Sequence, residues 1–117
     1  MALPSGYRFE SEAVLAQVHA AEGDLAGAEE LYFRTQEEAC LQADADSLDC
    51  ARASLRLGEF LLELEQFDLA EEQILRGVHI LEQEVLVSEP LLARARKAAA
   101  AVLEAQGKHG EASEFRD

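Results

Sequence analysis

The sequence predicts an all-α fold on three grounds: its residue usage, an internal register and its punctuation by helix-ending residues. Ala occurs 21 times and Leu 18 times among 117 residues, whereas Val, Ile and Thr together occur only 9 times. Residues that lose little rotamer freedom in a helix dominate, and the β-branched ones that suit a pleated sheet are scarce. The length suits one domain. The register is 42 residues: Ala28, Ala70 and Ala112 coincide under that shift, as do Glu30, Glu72 and Glu114. Leu15, Leu57 and Ala99 form another column, beside Ala16, Gly58 and Ala100, and one helical turn on stand His19, Leu61 and Leu103. Gly23, Glu65 and Gly107 follow, then Leu25, Phe67 and His109. Small residues recur where small residues stood, and bulky ones where bulky ones stood.

Each unit predicts two helices joined by a tight turn. After a lead-in at residues 1–7, the first unit (8–46) has helices near 8–22 and 25–43, separated at Gly23, where a helix ends and the chain needs a left-handed residue. In the second unit (47–88), Leu48, Leu55, Leu57, Leu61, Leu62 and Leu64 recur at helical spacing and predict a helix near 47–64. Leu69, Ala70, Gln73, Ile74, Gly77, Val78, Ile80 and Leu81 predict its partner near 67–86. The two residues between them, Glu65-Gln66, permit only an antiparallel pair. The third unit (89–117) has a helix near 89–106, a stop at Gly107 and a shortened helix near 109–117. Ser88 caps Glu89-Pro90, where the missing proline N–H is harmless, and Asp44, Asp46 and Ser47 offer caps to the third helix. The stretch at 43–46 is the one linker. Alanine and glycine columns let helices approach closely, and Gly77, which weakens a helix by about 1 kcal/mol relative to Ala, marks another close contact.

Charge narrows the function. Asp and Glu number 24 against 10 Lys and Arg, a net charge of -14, which repels nucleic acid and anionic membranes alike. Apolar residues make up 49%, too many for a disordered acidic tail, yet no apolar run approaches the ~18 residues of a membrane span. The opening Met-Ala-Leu-Pro-Ser-Gly has neither the basic region nor the apolar core of a secretory signal, so a soluble cytoplasmic protein without membrane insertion is expected. Cys40 and Cys50 flank an interhelical loop; in such a setting two reduced thiols packed as small apolar side chains are expected.

Leu57-Gly58, then Leu61, then Ala70 followed four residues later by Ile74, resembles the tetratricopeptide repeat. The first unit matches as Leu15-Ala16, His19, Ala28 and Tyr32, and the third as Ala99-Ala100, Leu103 and Ala112, with Arg116 in the bulky position. A 42-residue unit is similar to the longer variety in kinesin light chains, and residues 23–32, 88–90 and 107–112 are close to its wording. The early aromatic of the family pattern is replaced by Glu12, Ser54 and Arg96. The resemblance implies a right-handed superhelix of antiparallel helix pairs. It also implies an adaptor that holds a protein or peptide partner in a concave groove lined by the first helix of each pair.

On the family pattern, groove positions fall on Glu10, Ala13, Val14, Gln17, Ala20 and Ala21 in the first unit. They fall on Arg52, Leu55, Arg56, Glu59, Leu62 and Glu63 in the second, and on Arg94, Lys97, Ala98, Ala101, Glu104 and Ala105 in the third. Helical spacing independently puts Arg52, Arg56, Glu59 and Glu63 on one face, and Arg94, Lys97, Ala101 and Glu104 on another. Five of the ten basic residues stand on these two helices, with Arg96 pointing elsewhere. Arg captures carboxylates in a planar, bidentate manner, and Leu55 and Leu62 offer apolar contact beside it. An acidic peptide with an apolar anchor is the expected ligand. The alternative is a set of solvated cations paired along their own helices with Glu59, Glu63 and Glu104. The chain has no Asn, so the carboxylate clamp of some relatives is not expected.

Catalysis is not expected. His19 and His109 occupy columns that are otherwise apolar, and His79 has Glu82 and Gln83 at helical spacing but no second His or Cys, so no metal site is expected. No spacing ties Ser, His and acid into a triad, and Gly23 and Gly27 lack the Lys-Ser/Thr of a phosphate loop, so no cofactor is expected. A second expectation is an assembly role: a shortened final helix leaves apolar surface beside 98–102 for a longer array or a homo-dimer through the C-terminal helices.

Overall fold

The structure is a computed structural model and describes residues 5–41, 48–84 and 89–116, with side chains from Phe9 onward. The described residues form six helices in order: α1 (Ser5–Ala21), α2 (Leu25–Leu41), α3 (Leu48–Glu63), α4 (Phe67–Gln83), α5 (Glu89–Ala105) and α6 (His109–Ser113). Among the described residues there is no strand. Consecutive helices pack on each other, most extensively α3 on α4, and α3 also touches α1 and α5. The expected linker and caps at 43–47 and Ser88 lie outside the described residues.

The three turns are built alike. Asp24 N–H donates to His19 O (2.8 Å), Gln66 N–H to Leu61 O (2.9 Å) and Lys108 N–H to Leu103 O (2.9 Å), positions related by the 42-residue shift. This bond is the 6→1 closure that accompanies a left-handed residue after a helix. Gly23 (φ 87°) and Gly107 (φ 78°) adopt that conformation, and so does Glu65 (φ 60°). A side chain there costs about 1–2 kcal/mol that glycine avoids, against a smaller entropic loss. Glu65→Gly is therefore expected to stabilise the protein by up to about 1 kcal/mol. A thermal midpoint that stays put or falls would contradict this. Asp24 adds a cap to α2: Gly27 N–H donates to its Oδ1 (2.9 Å) and His19 Nδ1 lies 2.9 Å from Oδ2. The Gly27 amide, aided by His19, holds the Asp24 carboxyl below its usual range.

The small-residue columns are core. Ala16, Ala28, Ala70 and Ala112 are fully buried and Ala100 is 8% exposed. A Cβ on Gly58 would lie 2.4 Å from Ile74 Cγ1 and 3.0 Å from the Ile74 backbone nitrogen; one on Gly77 would lie 3.2 Å from Ala51 O. These contacts pair the C-terminal half of α3 with the start of α4, and its N-terminal half with the end of α4, so the pair is antiparallel. Around them Leu55, Leu57, Leu61, Ile74 and Leu81 are wholly buried.

The column that lacks the family's aromatic is polar and bonded. Thr35 Oγ1 donates to Glu12 Oε2 (2.6 Å), Gln36 Nε2 to Ser54 Oγ (3.3 Å) and Arg96 Nη1 to Glu82 Oε2 (2.8 Å). Each bond ties a first helix to a second helix. Arg96 accordingly reaches across to α4 and the C-terminal turn.

Two expectations are corrected. Cys40 and Cys50 are not reduced thiols; they form a disulfide, because the end of α2 and the start of α3 run side by side with Cα atoms 4.6 Å apart, within bridging range. The last helix is shorter than 109–117, because Glu114 and Phe115 N–H turn to the carbonyls of Glu111 and Ala112 and Phe115 folds onto the core. Beside 98–102, Ala98 (7%), Ala99 (0%), Ala100 (8%) and Val102 (0%) are buried, and Ala101 is exposed. Arg96 lies over the Phe115 ring (5.6 Å to its centroid) and donates to Glu114 O (2.8 Å), while Arg116 pairs with Glu104.

Candidate functional site

Since α3 touches both α1 and α5, these three helices lie side by side, and most of the expected groove residues fall along their common inner face. Three shallow depressions run along it. Gln17, Ala20, Tyr32, Arg56, Glu59, Phe60, Glu63 and Arg94 line the first, of about 460 Å³. Its floor is the ring pair Tyr32–Phe60, with centroids 4.9 Å apart. A second, of about 360 Å³, is bounded by Glu10, Arg52, Leu55, Arg56, Leu91 and Arg94. The third, of about 370 Å³, has Leu62, Ala98 and Ala101 as its apolar wall, with Glu59, Glu63, Arg94 and Lys97 around them. Arg94 borders all three.

Thirteen of the eighteen expected positions thus come together: Glu10, Gln17, Ala20, Arg52, Leu55, Arg56, Glu59, Leu62, Glu63, Arg94, Lys97, Ala98 and Ala101. Leu55, however, is fully buried, which leaves the apolar contact to its neighbours. Glu104 is drawn to the C-terminal turn, paired with Arg116 and 3.3 Å from His109 Nδ1. His109 is consequently exposed rather than packed in an apolar column. His79 faces Gln83 (2.8 Å), and among the described residues no His, Cys, Asp and Glu cluster could hold a metal ion. Tyr32 was not anticipated as lining, because it belongs to a second helix; its place four residues after Ala28 was the available signal.

The cations of the face differ in their pairing. Arg56 Nη2 donates to Glu10 Oε1 (2.6 Å), from α3 to α1. Arg94 forks onto Glu59, Nε to Oε2 at 3.0 Å and Nη2 to Oε1 at 2.5 Å, from α5 to α3. That bidentate bond raises the Arg94 pKa further. Burial pushes the Tyr32 phenol up, and Glu63 adds to it. Arg52 and Lys97 make no ion pair among the described residues. Four cations therefore meet three carboxylates, Glu10, Glu59 and Glu63, in a chain whose net charge is -14. Chemically the face offers two cations with no ion pair among the described residues, a hydrophobic wall and an aromatic floor.

The chain matches no family model, no curated protein and no solved structure. No described helix is long and apolar enough to cross a membrane.

Proposed function

We propose that the chain is a tetratricopeptide-like interaction module, a right-handed superhelix of helix pairs whose inner face takes an acidic peptide with an apolar anchor. The observation that carries this reading is the pair Arg52 and Lys97, cations on α3 and α5 that make no ion pair among the described residues of a strongly acidic chain. A ligand carboxylate at Lys97 places the next apolar side chain over Leu62, Ala98 and Ala101. The Arg56–Glu10 and Arg94–Glu59 pairs hold the three first helices in place rather than greeting the ligand. The Cys40–Cys50 bridge counts against the cytoplasmic setting that the sequence alone suggests, since such bonds persist in oxidising surroundings.

Fluorescence anisotropy with labelled peptides, one acidic with a Phe anchor and one of equal length with Gln in place of its acids, tests this. The acidic peptide binds, and Arg52→Glu or Lys97→Glu weakens it by about tenfold or more. Equal binding of the neutral peptide, or indifference to both reversals, would refute the charge readout. Binding retained at high salt would assign the affinity to the anchor instead.

A further inference from the structure

The most exposed apolar stripe on a helix belongs to α1, where Val14 (56%), Leu15 (48%) and Val18 (46%) stand in solvent. Ser11 and Ala21, also exposed, extend the stripe by a turn at each end. The 42-residue shift shows what such a face is for. Ser11, Leu15 and Val18 correspond to Ala53, Leu57 and Phe60 on α3, and to Ala95, Ala99 and Val102 on α5. All six counterparts are buried, between 0% and 6% exposed. The preceding pair contributes to that cover: Tyr32 of α2 stacks on Phe60, and α4 packs along α5. On α1 the same face has no helix against it among the described residues.

We infer that this stripe joins two copies of the chain, α1 against α1 in antiparallel fashion about a two-fold axis. Three observations favour a second copy. From Ser11 to Ala21 the stripe carries no charge, so it can meet itself without placing like charges in contact. With the axis between Leu15 and Val18, Glu22, the first acid beyond the stripe, faces Ser11 of the partner copy. At the far end Phe115 lies under Arg96 and Arg116 pairs with Glu104, so the stripe's partner patch is the same stripe, and a two-fold contact of this kind stops at two and does not run on into a fibre. The stripe is about 15 Å long. It covers a few hundred Å² per copy, less than the ~800 Å² of a stable standard interface, so the dimer is weak and forms at high concentration. Two bodies of charge -14 repel, so added salt strengthens this dimer; salt would weaken one held by groove cations.

Sedimentation equilibrium over a wide protein range, at low and high NaCl, decides the matter. The expected result is a reversible monomer–dimer equilibrium that tightens with salt, and that Val18→Glu weakens by about a hundredfold or more. Leu15→Gln, a milder change at a half-exposed site, weakens it in the same direction while helical circular dichroism stays unchanged. A monomer at every concentration and salt level overturns the inference. So does a dimer that survives both variants, or one lost on Phe115→Ala but not on Val18→Glu, which would put the contact at the other end. Peptide binding at the inner face is read separately, so either conclusion can fail alone.

Discussion

Ala70→Leu is expected to lower the unfolding free energy by about 3 kcal/mol, near the top of the range for overpacking a well-filled core. Ala70 is wholly buried, and its carbonyl oxygen lies 3.2 Å from where a Cβ on Gly58 would stand. The α3 and α4 backbones meet there with no atoms between them. Three added carbons have no void to enter and must push the helices apart, disturbing Gly77 against Ala51 further along the same pair. Gly58→Ala strains the same contact from the other side. Its methyl would meet Ile74 Cγ1, which can rotate, but also the Ile74 backbone nitrogen, which cannot. Better helix propensity returns about 1 kcal/mol, so a net loss of about 1–2 kcal/mol is expected. The double variant should lose less than the sum, because one separation of the helices relieves both. Urea unfolding with an unchanged slope measures all three. A midpoint in Ala70→Leu equal to that of the parent would mean the helices do not approach this closely.

What the sequence disclosed and what it hid follow from the range of the forces involved. Helix periodicity and the alanine and glycine columns are local or repeated, so the paired helices and the burial of Ala28, Ala70 and Ala112 were legible. The left-handed turn at position 65 was legible from its column, Gly23 and Gly107, though Glu itself advertises nothing of the kind. The inner face was legible as a set of positions, but its ion pairs were not. Helical spacing suggested that Arg56 would find Glu59 or Glu63 on its own helix. It reaches Glu10 instead, 46 residues away, and Glu59 takes Arg94, 35 residues away. Long side chains choose between partners of similar reach, and that choice depends on how near two helices lie. The columns at 12, 54 and 96 show the same limit: they looked like losses of an aromatic, and are sites of bonds to Thr35, Gln36 and Glu82.

Reduction of the Cys40–Cys50 bridge is expected to cost about 3 kcal/mol, the chain-entropy value for the short loop closed by a sequence separation of 10. The bond joins the first helix pair to the second, across the chain that runs from the end of α2 to the start of α3. It therefore acts on the docking of α1 and α2 against α3 more than on the α3–α4 pair. Cys50 is 1% exposed and Gln36, which donates to Ser54 beside it, is 7% exposed, so opening the bridge also loosens a buried polar contact. Urea unfolding with and without dithiothreitol measures the loss, and Cys40→Ala/Cys50→Ala should reproduce it without reductant. Hydrogen exchange adds the location: amides of α2 and the first turns of α3 should lose protection, while those of α4 and α5 keep it. The Tyr32–Phe60 pair crosses the same α2–α3 junction, so the first depression of the inner face should loosen in step. Equal stability of the oxidised and reduced proteins would mean that side-chain packing alone fixes this junction.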